Sequence, residues 1–253
     1  MSSELTNKIK ELREKTNAGF LDCQKALKTN DMDIDKAAEY LREKGIASFE
    51  KRSGNTTGSG DFGVYQNESR FCIVPLLTET DFVANTQQFM DLANNIAQEL
   101  INRDEAELSK TLFEIIDSSM HSQVLSLKEN VQLGPVFWLD LTKGPVYYYI
   151  HRGGSNRFAG VVQLDKPLDK GRDIAVHIAC AMPEPIALEA SAVPEKEVTE
   201  FIQNAEIDGE KVTEKSARER LSLLDAKSLK EPDVTIKQLL GDVKIIYWRK
   251  LRV

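Results

Sequence analysis

A glycine-rich segment is the first place where this sequence could bind a cofactor. Residues 58–63, Gly-Ser-Gly-Asp-Phe-Gly, match the G-x-G-x-x-G pattern of dinucleotide-binding loops. Such a loop follows a strand and opens a helix, so that the helix N-terminus meets the pyrophosphate. Here a polar segment precedes the glycines and a predicted strand follows them, so the pattern does not indicate a cofactor site. The chain also contains no G-x-x-x-x-G-K-[ST] motif. We therefore expect no cofactor and no direct binding of nucleotide phosphates.

The histidines, cysteines and carboxylates show no pattern typical of catalysis. His121, His151 and His177 are far apart and lack the spacing of metal ligands such as H-E-x-x-H. The three cysteines form no C-x-x-C pair and are expected to be reduced thiols, as in a cytosolic protein. We predict no catalytic residues and no metal site, and we do not expect the chain to be an enzyme.

One short segment has the composition of a protein-binding loop. Residues 78–85, Thr-Glu-Thr-Asp-Phe-Val-Ala-Asn, lie between a predicted strand and a predicted helix. An exposed aromatic ring beside a carboxylate is typical of interface anchors, because the ring fills a pocket and the charge sets polarity. Asp81 and Phe82 could form such an anchor. Alternatively, Phe82 is the first core residue before the helix and Asp81 is a first-turn carboxylate.

The C-terminal strand carries several basic side chains, and they also allow two interpretations. They are Lys244, Arg249, Lys250 and Arg252. Charges on an edge strand protect it from pairing with other chains. A small basic patch for an acidic partner is the alternative.

Overall composition excludes several classes of protein. The net charge of −7 argues against a nucleic-acid partner, since phosphate binding requires clustered Lys and Arg. No apolar run approaches the ~20 residues of a membrane span, so we expect no membrane partner. The N-terminus has no apolar stretch typical of a secretory signal. We expect a cytoplasmic protein, or alternatively one in an organelle matrix after removal of a transit peptide.

The first 52 residues are predicted to form a three-helix module. Apolar residues at helical spacing mark the three helices: Ile9 and Leu12; Phe20, Cys23 and Leu27; Ile34, Ala37, Ala38 and Leu41. Asn17 is predicted to cap the second helix and Asp33 the third. Gly45 is predicted to end the third helix. Residues 53–60 are rich in Gly, Ser, Asn and Thr and are predicted to be a flexible linker.

Residues 61–140 are predicted to be the first half of an α+β core. Two strands, at 62–65 and 71–77, precede a helix that starts near Thr86. Pro75 cannot donate to a ladder and predicts an edge or a bulge in the second strand. A second helical stretch is expected at about 105–129 and a closing strand at 136–139. The helix after Thr86 has an apolar face, namely Phe89, Leu92, Ala93, Ile96, Ala97 and Leu100.

Residues 141–253 are predicted to be a second half built on the same scheme. Strands at 146–150 and 158–164 flank a hairpin turn at 153–156. The helix that follows has an apolar face, namely Ile174, Ala175, Ile178, Ala179 and Met182. A charged helical segment covers about 190–230, and a final strand covers 243–253. The order of elements predicts an internal structural repeat of antiparallel sheets with packed helices.

Two sequence segments carry a resemblance to a known family. Residues 9–27, IKELREKTNAGFLDCQKAL, closely resemble the N-terminal signature of elongation factor Ts. Residues 80–85, TDFVAN, resemble the second signature of that family at the expected distance. The resemblance extends through the whole chain but fades after about residue 185.

This resemblance implies a fold, a partner and a set of contact residues. Residues 5–48 would be a module of the ubiquitin-associated type, and the rest would be the pseudo-repeated core. The implied function is guanine-nucleotide exchange on the GTPase elongation factor Tu during translation elongation. The implied contacts with this partner fall into three groups: Asp81, Phe82 and Val83 near its nucleotide and magnesium site; Arg13, Phe20 and Leu21 on its nucleotide-binding domain; His151 elsewhere.

The sequence departs from the family in ways that leave some properties open. The 190–230 segment is too short for the long helical hairpin of many members, so contacts made by that hairpin are in doubt. Asn17 stands where glycine is common, and Pro75 is unexpected. We expect a monomer when free. A non-catalytic adaptor, using the three-helix module without exchange activity, is the alternative function, and an enzyme would need a polar pocket that the sequence does not reveal.

Overall fold

The computed structural model describes residues 3–16, 18–103, 112–153 and 156–253. The fold is α+β, with three N-terminal helices followed by antiparallel sheets and helices, which confirms the predicted fold class. The chain divides into two compact units. Unit 1 contains residues 1–67 and 72–138 with the last residue, and unit 2 contains residues 68–71 and 139–252.

Unit 1 contains the N-terminal helices and the first sheet. Its elements in chain order are α1 (Ser3–Thr16), α2 (Phe20–Thr29), α3 (Ile34–Arg52), β1 (Ser59–Gln66), β2 (Arg70–Thr78), α4 (Asp81–Ala84), α5 (Gln87–Leu100), α6 (Leu112–Ile115), α7 (Ser118–Ser126), β3 (Gln132–Leu133) and β4 (Phe137–Asp140). The ends of β2 and β4 lie at the division between the units.

Unit 2 contains the second sheet and the remaining helices. Its elements are β5 (Val146–Gly153), β6 (Asn156–Leu164), α8 (Gly171–Cys180), α9 (Glu195–Ile207), α10 (Glu214–Leu221), α11 (Ile236–Leu240) and β7 (Ile245–Arg252). Residues 154–155 of the predicted hairpin turn lie outside the described residues.

Helices α1 to α3 enclose a small apolar core, as their periodicity predicts. It consists of Ile9, Leu12, Cys23, Ala26, Leu27 and Ala37. The predicted cap of the third helix is confirmed, because Asp33 accepts hydrogen bonds from the backbone of Asp35 and Lys36 at 3.0 Å each. The N-cap of α2 is Gly19, and Asn17 lies outside the described residues.

The prediction that Gly45 ends the third helix is wrong. Helix α3 continues through Gly45 to Arg52. A Cβ atom at position 45 would lie 2.7 Å from Leu125 Cδ1 of α7, so the glycine serves close packing of α3 on α7. Farther along α3, Phe49 packs in the core of the first sheet, with its ring centroid 4.8 Å from that of Phe113. Helix α3 is therefore shared between the N-terminal module and the first half of the core.

The first sheet has the order β1-β2-β3, and β4 also pairs with β2. Strand β2 therefore has neighbours on both sides and is not an edge strand, which corrects one expectation drawn from Pro75. Leu76 is opposite Leu133 of β3, and the carbonyl of Pro75 accepts from the backbone N–H of Gly134 at 2.8 Å. Pro75 has no backbone N–H to donate. Its position in β2 is opposite Gly134, where the chain leaves β3 toward β4, so the β2–β3 ladder has already ended there.

Helix α5 covers this sheet with the apolar face that the sequence predicts. All six predicted core residues of α5 are buried. Strand β1 approaches α5 closely, since a Cβ at Gly63 would lie 1.9 Å from the Ala93 carbonyl oxygen. The helical stretch expected at 105–129 includes two short helices, α6 and α7, and residues 104–111 lie outside the described part.

The second sheet repeats the arrangement of the first. Its order is β5-β6-β7, all antiparallel, with β6 in the centre. In each sheet the second strand of a hairpin also pairs with a later strand, and a helix follows the hairpin. This confirms the predicted structural repeat. The prediction that Met182 belongs to the apolar face of α8 is wrong, because the helix ends at Cys180 and Met182 is 85% exposed.

The basic residues of β7 are partly engaged within unit 2. Lys250 packs 4.7 Å from the centre of the Phe158 ring, and burial lowers the pKa of its ammonium group. Lys250 and Arg252 both form ion pairs with Glu184. These contacts favour the interpretation of a charged edge strand over that of a free basic patch.

Candidate protein-binding site

Asp81 and Phe82 open the short helix α4, directly after the central strand of the first sheet. Thr80 caps this helix, because its Oγ1 accepts from the backbone N–H of Val83 at 3.3 Å. Phe82 is 83% exposed. Phe82 is therefore not a core residue, which excludes one of the two interpretations that the sequence left open.

The residues after Phe82 attach α4 to the protein. Ala84 is buried, and Val83 packs against the core of the first sheet. Thr86 caps α5 by accepting from the Phe89 backbone at 3.2 Å, and its hydroxyl donates to the Val83 carbonyl at 2.7 Å. An exposed ring and carboxylate thus stand on a segment whose next residues are fixed by packing and two helix caps.

The loop before Asp81 is held by the carboxylate of Glu129, which follows α7. Glu129 Oε2 accepts from the Thr78 hydroxyl at 2.6 Å and from the Thr80 backbone N–H at 3.1 Å. Glu129 Oε1 accepts from the Thr80 hydroxyl at 2.6 Å. One partly buried carboxylate therefore ties the end of β2 and the N-cap of α4 to the segment after α7.

The neighbouring residue Asn130 extends this network to the end of α3. The Asn130 side chain is 1% exposed and donates to the carbonyls of Ser53 and Asn55 at 3.2 and 2.8 Å. Its backbone N–H donates to Glu79 at 2.6 Å, and the Asn55 amide donates to the same carboxylate oxygen at 3.0 Å. These hydrogen bonds, with the charge of Arg52, hold the pKa of Glu79 below its usual range.

Ser53 and Asn55 of the predicted linker therefore make hydrogen bonds to the first half of the core. Ser59 and Gly60, at its other end, belong to β1. Free movement of the N-terminal module remains a prediction from composition. Residues 59–63 of the G-x-G-x-x-G segment also belong to β1. The glycines therefore open a strand and not a helix.

The predicted contact residues of the N-terminal module lie around the junction of α1 and α2. Phe20 and Leu21 open α2 and are 37% and 75% exposed. Arg13, in the last turn of α1, lines a shallow groove together with Phe20. The structure thus brings Arg13 and Phe20 together at one surface.

His151 lies in unit 2, near the turn end of strand β5 in the second hairpin. It is on β5 opposite Phe158 of β6, and its ring is 6.3 Å from that of Tyr149. A Cβ at Gly153 would lie 2.5 Å from His151 Nε2, so the ring packs over this glycine near the hairpin end. The structure therefore places the predicted contacts in two groups in unit 1 and a single residue in unit 2.

In the part of the chain that the structure describes, the other histidines, cysteines and carboxylates do not assemble into a metal site. Among the described residues, no group of three or more His, Cys, Asp or Glu side chains has the geometry of a metal site. His121 contacts the Phe113 carbonyl at 3.0 Å, and His177 is buried in α8. In the described part of the chain, no helix is both long and apolar enough to cross a membrane.

Sequence reasoning missed Glu129 and Asn130. They are 49 to 51 positions away from the residues that they bind near α4. The preceding Lys128 has a φ of 58°, in the left-handed region, but this is a property of the structure that a lysine in the sequence does not indicate. Three polar residues at 78–80 needed hydrogen-bond partners, but the sequence did not indicate which of its many carboxylates would supply them.

Comparison with known proteins gives one consistent result. The family model described as Elongation factor TS matches residues 79–252, which is more than half of the chain. A protein of Agrobacterium fabrum, called Elongation factor Ts, is 32% identical over 93% of this chain and 85% of its own length. Proteins of the same name from Rhizobium etli and Levilactobacillus brevis are each 33% identical, and the alignments cover 96% and 95% of this chain and 88% of each relative.

Proposed function

Since this chain belongs to the elongation factor Ts family and so has a role in translation elongation, we propose that it is a guanine-nucleotide exchange factor for elongation factor Tu. The observation that carries the proposal is the exposed Asp81–Phe82 pair at the start of α4. Phe82 presents most of its ring to solvent, while the adjoining residues are capped, hydrogen-bonded and packed. A fixed segment that exposes an aromatic ring beside a carboxylate suits insertion into a partner.

Exchange requires binding energy and no covalent chemistry. A nucleotide held at about nanomolar affinity is bound by roughly 12 kcal/mol and therefore leaves slowly. A factor accelerates release by binding the nucleotide-free or distorted GTPase better than the loaded one, and the coupling is reciprocal. A ~10⁴-fold acceleration requires a release barrier about 5.5 kcal/mol lower. In our proposal, Phe82 and Asp81 supply much of this difference near the partner's magnesium site.

The other predicted contacts would supply affinity. Arg13, Phe20 and Leu21 would dock on the nucleotide-binding domain of the GTPase, and His151 would contact it separately. Their exposure or groove position supports docking for the first three. Under this division of roles, the module sets the concentration at which the factor acts, and the Asp81–Phe82 pair sets the maximal rate.

The test is release of labelled GDP from elongation factor Tu, with and without this chain. We expect the release rate to rise with the concentration of the chain and to saturate. A chain that binds the GTPase without changing the release rate would instead be an adaptor. Turnover of a substrate by the chain alone, without any GTPase, would show an enzyme and contradict the proposal.

A further inference from the structure

Thr80 occupies an unusual position because its hydroxyl serves two bonds at once. Its Oγ1 accepts from the Val83 N–H, which caps α4, and donates to Glu129 Oε1 at 2.6 Å. A hydroxyl has one hydrogen and two acceptor sites, so donation to Glu129 leaves a lone pair for the Val83 N–H. Glu129 therefore fixes the orientation of the hydroxyl that caps the helix carrying Phe82.

The same carboxylate also fixes the backbone just before the pair. Glu129 accepts from the Thr80 N–H, and from the hydroxyl of Thr78, which is fully buried at the end of β2. Hydrogen bonds to an ionised acceptor are stronger than neutral ones. Three such bonds to one carboxylate leave the segment Thr78–Thr80 little freedom to rotate relative to the segment after α7.

The exposed pair has few contacts that could hold it in place by itself. Phe82 is 83% exposed, and the packing of α4 is provided by Val83 and Ala84 behind it. If an aromatic side chain is ordered only when it binds the partner, the entropy lost in ordering it weakens the complex. The direction of Phe82 in the free protein therefore depends on the bonds that define the start of α4.

From these contacts we propose that Glu129 is a positioning residue: its carboxylate orders Thr80 and so presets Phe82 for insertion into the GTPase. This inference rests on the proposed exchange function. Glu129 itself would not touch the partner's nucleotide site. Its contribution would pass through Phe82, and this makes the inference testable by a pair of substitutions.

The experiment compares the maximal rate of GDP release from elongation factor Tu in four proteins, each at a saturating concentration. They are the wild type, Glu129→Ala, Phe82→Ala and the double variant. Gln88→Ala is the matched control, because it removes a single 2.7 Å hydrogen bond, to Ser126, at another place in the same unit. We expect Glu129→Ala to lower the maximal rate about 10-fold, as misplacement of a binding group does, and Gln88→Ala to leave it unchanged. In the Phe82→Ala background, Glu129→Ala should change the rate less than about 2-fold.

Equal losses in both backgrounds would show that Glu129 acts independently of Phe82 and would overturn the inference, as would an unchanged rate for Glu129→Ala.

Hydrogen exchange of the free protein gives a second readout. Glu129→Ala should accelerate exchange of the Thr80 to Asn85 amides while α5 stays protected. If the wild type does not accelerate release, the proposed function fails, and unaltered amide exchange would separately refute the positioning role. If Glu129→Ala does not fold, Glu129→Gln keeps the side-chain shape and the Thr80 cap but replaces one acceptor oxygen with an NH2 group, which removes at least one of the three bonds.

Discussion

Phe82 and Val83 are adjacent in α4 but have opposite environments: Phe82 is 83% exposed, while Val83 packs against the core of the first sheet. This contrast separates a role in binding from a role in folding. It also provides a matched pair of substitutions one position apart.

We predict that Phe82→Ala slows maximal GDP release by roughly 30- to 1000-fold, corresponding to about 2–4 kcal/mol of lost coupling. The melting temperature should hardly change, because the ring is exposed. Although the family resemblance implies a partner contact for Val83, its packing against the core predicts that Val83→Ala mainly costs folding free energy, about 1–2 kcal/mol, and leaves release by the folded protein near normal. Thermal melting and stopped-flow release on both variants test this. A Phe82→Ala protein that melts far lower and exchanges normally would contradict it.

Asp81→Ala should slow exchange through loss of charge. The carboxylate is exposed at the first position of α4, and in our proposal it lies near the partner's magnesium ion. Its removal should reduce the maximal release rate and change the dependence of that rate on magnesium concentration, with little effect on melting. Asp91→Ala, which removes an exposed carboxylate on α5, is the control. If the two variants gave the same magnesium dependence, Asp81 would have no special role.

Leu21→Ala should affect affinity and spare the maximal rate. Leu21 is 75% exposed at the start of α2, so its truncation should change the folding free energy by less than about 0.5 kcal/mol. If Leu21 is a docking contact, Leu21→Ala should raise the chain concentration for half-maximal release by roughly 5- to 30-fold, which corresponds to about 1–2 kcal/mol of lost binding free energy. Ile207→Ala is the control, since that aliphatic residue is 82% exposed at the end of α9. Equal half-maximal concentrations for the two variants would argue against docking by α2.

The free protein should be a monomer and should form a one-to-one complex with its GTPase. Within the 190–230 segment, the apolar residues of α9 and α10 pack on each other around Val198, Ala217 and Leu221. This internal packing uses the apolar surface that a dimer contact would need, with Ile207 left exposed. Light scattering on the purified chain, alone and mixed with elongation factor Tu, measures both masses. A dimer that persists on dilution would refute this prediction.

The fold was largely predictable because its signals are local and repeated. The six apolar positions of α5 predict a buried face, and all six are buried. Errors arose where a residue type has more than one use: Gly45 fits a helix end, but here it lets Leu125 approach α3. The support of the candidate site was not predictable, because the pairing of Glu129 with Thr80 joins segments 49 positions apart. The exposure of Phe82 likewise depended on how the whole segment packs.

His177 should make the protein less stable in acid. The side chain is 2% exposed in α8, and burial lowers its pKa from 6.5 to about 4. Well above pH 6.5 the imidazole is neutral in both the folded and unfolded states and has no effect on stability. As the pH falls from 6.5 to 4, the unfolded chain binds a proton that the folded protein does not, so the free energy of unfolding falls. A shift of this size corresponds to about 3 kcal/mol once the pH is below the folded pKa.

Carboxylates titrate in the same range, so the measurement is the difference between the wild type and His177→Leu. Denaturant unfolding at several pH values between 7.5 and about 4 gives the free energy for each protein. The wild type should lose up to about 3 kcal/mol more than the variant over this interval, even if the substitution itself changes stability at pH 7.5. His151→Leu, at a half-buried position on β5, controls for removal of a histidine. Parallel pH profiles for the wild type and His177→Leu would show that His177 is protonated as readily in the folded protein as in the unfolded chain.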